Sequence, residues 1–382
     1  MENENIMDNK MNKTWLVLGI VAIVLLSVLL IFNALNPITG NVVKSSEKPV
    51  VKIGVIVPLS GDLAFIGKGY QNAISMAQSK LGNTKYKYEV IYEDSKNLDS
   101  KETLSAAQKL INIDKVDVIF TVSSGTGNIV SPLTEENKVV HIGYASDSNV
   151  AKGTYNFIHA TTPHEENKKM VKELQERGIK KIALLYIIQD GAVAIFGDLK
   201  QKLKSTDIEV VSDQKFAMGT KDFKTVLEKA KAYNSDIYVI QLFSPDLEIF
   251  AKQAKELGVT ELTSIEAFDL TEQPELFEGK WYVSQPVGIA SFRDEYESKY
   301  GLAPSMGSPN SYDMLNIIVT NYEKAGKNLN TNEKPSHAII VKEIESMKFS
   351  GVLGDLTVLP NHIIDSEALV REIRNGKPVN LG

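Results

Sequence analysis

Residues 51–80 read VKIGVIVPLSGDLAFIGKGYQNAISMAQSK: an almost continuously apolar run, a turn of Pro, Ser and Gly, then apolar positions at helical spacing. Tyr70, Ala73, Ile74, Ala77 and Leu81 share one face of that helix. A strand that is apolar at nearly every position is buried on both sides, so the segment predicts the opening βα unit of a parallel sheet covered on both faces. Strand candidates recur near residues 51, 88, 116, 139, 182, 208, 236 and 262, with helix-period segments between most of them. Their spacing, about 25 to 30 residues per unit, is the rhythm of an open α/β sheet. Residues 116–122 (VDVIFTV) and 236–242 (DIYVIQL) are the clearest strands, each followed within a few residues by a helix.

One sheet does not comfortably absorb all these units. The polar stretch at 159–167 (HATTPHEEN) predicts a break before a second lobe, and SQPVG at 284–288 predicts another. Beyond it, helices carrying Phe292, Tyr296, Tyr300, Met314 and Ile318 follow. Two lobes joined by several strands would make a hinge, with ligand loops at the carboxyl ends of the strands.

A different pattern opens the chain. Residues 15–32, WLVLGIVAIVLLSVLLIF, hold no charge over 18 positions, roughly 27 Å of helix and close to the thickness of a bilayer's hydrocarbon core. No clear small-x-small cleavage site follows, so the run predicts an uncleaved signal anchor more readily than a signal peptide. Lys10 and Lys13 precede it and favour a cytoplasmic N-terminus, leaving the body extracytoplasmic at the cell membrane. Residues 36–49, with Pro, Gly, Asn and Ser, read as a tether.

Composition narrows the chemistry. A formal charge of −6 at pH 7, with lysines interspersed among acids, argues against a nucleic-acid partner. The absence of cysteine excludes disulfides, thiolate metal sites, a Cys nucleophile and a lipid-modified N-terminal Cys. No HExxH, GxSxG or phosphate-cradling loop is present, and the five His residues show no metal-ligand spacing. No enzyme, cofactor or metal site is expected.

Binding chemistry rests on two loops. Val122, Ser123, Ser124, Gly125 and Thr126 end a buried strand and open a helix, bringing hydroxyls and N–H groups to a helix N-terminus, where an anion can sit. Helix capping by Ser124 or Thr126 is the alternative use of the same residues. The second loop, GYASDSN at 143–149, follows the strand VVHI.

These features, with Asp94 at a strand end, GTKDF at 219–223, YDML at 312–315 and FSGVLGDLTV at 349–358, resemble the branched-chain amino-acid-binding (Leu/Ile/Val-binding) family of type I extracytoplasmic solute-binding proteins of ABC transporters. The resemblance covers 51–379. It implies an α/β, two-lobed periplasmic-binding-protein type I fold, each lobe a parallel sheet flanked by helices, after one N-terminal transmembrane helix. The domain plan is a tail at 1–13, an anchor at 14–35, a linker at 36–49, lobe one at 50–160 and 288–342, and lobe two at 161–287 and 343–382, with a third crossover near 343.

The implied ligand is small and polar, most readily an amino acid, delivered to a permease and an ATPase. A ligand-sensing receptor ectodomain of the same fold is the alternative. The resemblance places the ligand carboxylate at Ser124 and at Ala145, Ser146 and Asp147, with the Asp147 charge meeting the ammonium. An Asx turn or cap is the other reading of Asp147. Ile66 aligns with a wall position, Phe243 with an aromatic site, and Glu266 with an acidic position that contacts the ammonium, unless it is an exposed loop residue. Gly191 stands where the family usually has an aromatic.

Overall fold

The computed structural model describes residues 48–381; the expected membrane anchor lies outside them. Among the described residues no helix is long and apolar enough to cross a membrane.

The first lobe opens with β1 (Val50–Val57), α1 (Ala64–Ser79), β2 (Lys87–Asp94), α2 (Ser100–Lys109), β3 (Val118–Thr121), α3 (Ser124–Asn137), β4 (Val140–Gly143) and β5 (Asn156–His159). As the apolar run requires, β1 lies inside the sheet, parallel to β2 on one side and β3 on the other. On α1 the buried face carries Ile66, Tyr70, Ala73, Ile74 and Ala77. The helix stops at Ser79, so Leu81 lies beyond its end.

The second lobe contains α4 (Pro163–Glu176), β6 (Lys181–Ile187), α5 (Asp190–Leu203), β7 (Glu209–Phe216), α6 (Lys224–Lys231), β8 (Ile237–Gln241), α7 (Asp246–Glu256), β9 (Leu262–Ser264) and β10 (Trp281–Ser284). Strands β7, β6, β8 and β9 form a parallel sheet in that order. A bridge between Ile265 and Val283 continues it towards β10.

The chain then returns to the first lobe with α8 (Ala290–Tyr300), α9 (Ser308–Gly326) and α10 (His337–Glu345), followed by β11 (Lys348–Gly351), β12 (Gly354–Val358) and β13 (Ile363–Asp365). These three strands extend the first sheet to the order β11-β12-β13-β5-β4-β3-β1-β2. Only β14 (Leu369–Arg374) and β15 (Lys377–Asn380) belong with the second lobe, where β14 pairs antiparallel with β10.

The third crossing therefore falls at residues 366–368, not near 343 as the resemblance implied. Asp313 on α9 supplies the reason. Its carboxylate accepts hydrogen bonds from the N–H groups of Val352 (2.9 Å) and Leu353 (3.1 Å) and so grips the turn between β11 and β12. A Cβ on Gly351 would lie 2.4 Å from that carboxylate. YDML and FSGVLGDLTV are thus two halves of one contact, and it holds the hairpin on the first lobe.

The three crossings, at 160–162, 285–289 and 366–368, are tied to one another. Thr161 N–H donates to Gln285 Oε1 (3.1 Å), the Thr161 and Ser366 hydroxyls are 2.7 Å apart, and Thr162 N–H donates to Asp365 Oδ1 (3.1 Å).

Candidate functional site

Between the lobes lies a cavity of about 560 Å³, counting its open mouth. Its first-lobe wall is made where strands end and helices begin. Ser123 caps α3 in a capping box with Thr126, which leaves the N–H groups of Ser124 and Gly125 without an intrahelical acceptor. Ser124 Oγ accepts from the N–H groups of Ser146 and Asp147, both at 3.0 Å. One hydroxyl thus fastens the two loops together; the cap falls to Ser123 with Thr126 rather than to Ser124, which is left to tie the loops and to stand in the wall. Ser124, Ala145, Ser146 and Ile66 all border the cavity.

Asp147 does not border it. Its Oδ1 accepts from Asn149 N–H (3.0 Å), and its Oδ2 accepts from the amides of Asn128 (2.9 Å) and Asn149 (3.2 Å). Asp147 is the cap of the short turn Ser148–Ala151, so its geometry follows the capping reading and both its oxygens are engaged by Asn128 and Asn149. The Asn128 amide also donates to Asp190 Oδ2 (2.8 Å) on the second lobe, and so clasps the lobes together.

Across the cavity, α5 begins at Asp190, capped by Gln189 Oε1, which accepts from Gly191 N–H (2.8 Å) and Ala192 N–H (3.2 Å). A Cβ at Gly191 would meet Ser124 Oγ and Gln189 Oε1, each at 3.0 Å. Any side chain here would require these two neighbours to give way by a few tenths of an ångström. The bare backbone at Gly191 lets the N-terminus of α5 come up against the N-terminus of α3, and two positive dipole ends face the same space. Phe243, just past β8, completes the wall and also borders a second depression lined by Asp62, Met218 and Asp246.

Glu266 is the sole charged side chain bordering the cavity among the described residues. It is 4% exposed, which contradicts the exposed-loop reading. Its φ of 63° is left-handed, a strained conformation for a residue with a side chain and one that clusters at functional sites. The Gln285 amide donates to Glu266 Oε1. Because Gln285 also accepts from Thr161, the acid is linked to the hinge crossings.

Burial pushes the Glu266 carboxyl above the usual range, while the Gln285 hydrogen bond works in the opposite direction. Beside it, Glu166 is fully buried, and among the described residues its carboxyl finds no hydrogen-bonding partner other than the carboxyl of Glu266. Burial, and then the nearby Glu266, raise its pKa well above the ordinary value. Two carboxyls so placed favour sharing a proton.

Gln189, Tyr144, Gln241 and Met306 also border the cavity and were not singled out from sequence. Gln241 left a faint signal, a polar residue closing an otherwise apolar strand. Glu166 left none, because its partner lies far along the chain.

Two α/β lobes on a three-strand hinge, with strand-end loops facing a shared cavity, define a two-lobed binding protein. The family model described as periplasmic binding protein matches residues 50–377, and the chain belongs to that family. It is 24% identical over 318 residues to the Leu/Ile/Val-binding protein homolog 8 of Brucella abortus, covering 74% of this chain and 78% of that protein. Among solved structures it is similar to the leucine-binding protein LivK of Thermotoga maritima, with a TM-score of 0.76, 22% identity, and 87% of this chain and 98% of that one covered. It is also similar to an ABC-transporter solute-binding protein of R. palustris in complex with benzoate, with a TM-score of 0.77, 17% identity, and coverage of 87% and 96%.

Proposed function

We propose that the chain captures a small zwitterion, an amino acid, between its lobes and delivers it to an ABC permease and its ATPase. The observation that carries this reading is the opposed electrostatics of one cavity. Two helix N-termini meet at Ser124 and Gly191, and among the described residues the wall's one charged side chain is Glu266. The ligand carboxylate faces Ser124 with Ala145 and Ser146, where first-turn N–H groups and dipoles favour an anion. The ammonium faces Glu266, whose ionised form it stabilises by a charge-assisted hydrogen bond. Ile66 and Phe243 supply apolar contact. A ligand touching both lobes shifts the hinge towards closure by its differential affinity for the closed state.

The descriptions of relatives as Leu/Ile/Val-binding and ABC-transporter proteins support the transport role. Residues 15–32 support a single-pass anchor that holds the lobes outside the cell. A thermal-shift screen of the full chain against the proteinogenic amino acids and benzoate tests the reading, since a ligand at a hundred times its Kd stabilises by about 2.7 kcal/mol. A shift with amino acids supports it; a shift with benzoate alone removes the role given to Glu266.

A further inference from the structure

Carboxylate and ammonium contacts leave part of the cavity wall unexplained. Gln241 closes β8 on the second lobe and Tyr144 follows β4 on the first, and both border the same cavity. Gln241 is 2% exposed and Tyr144 7% exposed, yet Gln241 Oε1 and the Tyr144 hydroxyl have no hydrogen-bond partner. Unmet buried donors and acceptors are costly, and native structures rarely keep them without a reason. Packing alone does not supply one. In β8 the residues before Gln241 are Ile237, Tyr238, Val239 and Ile240, and an apolar side chain would complete that strand without stranding an oxygen.

The two groups are complementary in kind. Burial, followed by the nearby carboxyl of Glu266, keeps the Tyr144 phenol protonated, so it is a standing donor. Gln241 Oε1 is an acceptor. They stand on opposite lobes, so a ligand group that accepts from one and donates to the other is fully met only when both lobes enclose it. An amide or a hydroxyl does both, and an aliphatic chain does neither.

We infer that Tyr144 and Gln241 form a polar specificity subsite that selects amino acids carrying an amide or hydroxyl side chain over aliphatic ones of the same shape. The inference rests on the amino-acid reading above. Near-isosteric pairs test it by calorimetry on the full chain in detergent: L-asparagine against L-leucine, and L-threonine against L-valine. The polar member of at least one pair should bind about tenfold more tightly, the scale of one unmet buried hydrogen bond.

Gln241→Leu should erase that preference while the melting temperature of the ligand-free protein holds or rises. Tyr144→Phe, a smaller change, should reduce it and guards against a folding defect in the first variant. Tighter or equal binding of leucine and valine by the wild type overturns the subsite but leaves the amino-acid reading standing, as does a preference that survives both substitutions. Failure of all four ligands, with benzoate still bound, overturns the amino-acid reading and the subsite with it.

Discussion

The two walls of the cavity are built on opposite principles. The first-lobe wall is regular: strands end, helices begin with matched caps, and Ser124 joins neighbouring loops with neutral hydrogen bonds. The second-lobe wall carries the strain and the charge, with Glu266 in a left-handed conformation, Glu166 buried against the same carboxyl, and a bare Gly191. A relaxed wall can hold a carboxylate with backbone dipoles at little cost. A strained, acidic wall is unfavourable alone and is relieved by a cation, so the asymmetry itself favours closing on a ligand.

Gly191→Phe should break this arrangement most severely. A ring must push α5 away from Ser124, at a cost of about 3 kcal/mol or roughly a hundredfold in affinity. Small-angle scattering should show no compaction on adding ligand; compaction equal to wild type would mean that the close approach at Gly191 does not matter.

Asn128→Leu removes the amide that Asp147 and Asp190 share and leaves two carboxylates facing each other across the lobes. Ligand affinity should fall by about 1–2 kcal/mol. Because these carboxylates are partly exposed, added salt should restore some of it; a loss insensitive to salt would point to packing instead.

Glu166→Gln acts on the acidic wall without touching the cavity. The Glu166 pKa is raised in the folded state, so its contribution to stability is complete below the unfolded value of 4.5 and is lost as pH rises through the folded pKa. The variant should therefore match wild type near pH 4.5 and exceed it by about 1–2 kcal/mol at pH 8, where wild type must either bury a charge or retain a proton that the unfolded chain has released. Thermal melts across that range check the sign, and a variant less stable at pH 8 would mean that Glu166 is satisfied in the folded protein.

Asp147→Asn should be the mildest, costing about 0.5–1 kcal/mol of stability with little change in affinity, because the residue caps a turn. A large loss of affinity would return it to the ligand.

The parallel-sheet rhythm was legible because buried parallel strands are apolar at nearly every position, as in β1 and β8 apart from Lys52 and Gln241. The hairpin of β11 and β12 was not, since its strands are short and half exposed, and its place is set by Asp313, remote in sequence. Ser124 was legible because loops at strand ends have a known address, whereas Glu266 came only from the resemblance; both border the cavity. Asp147 misled for a related reason: its position in the loop was correct, but a carboxylate two residues before a free N–H satisfies that N–H first. The pairing of Glu166 with Glu266 depends on folding one lobe's first helix against its last parallel strand, which no local pattern encodes.

The most direct measurement is a calorimetric comparison of the tightest-binding amino acid with the same molecule lacking its amino group, in wild type and in Glu266→Gln. Wild type should favour the amino acid by about a hundredfold, and Glu266→Gln should shrink that preference below about tenfold by removing the buried counter-charge. Equal binding of the two molecules by wild type would contradict the opposed-wall arrangement and leave Glu266 as a structural acid at the hinge.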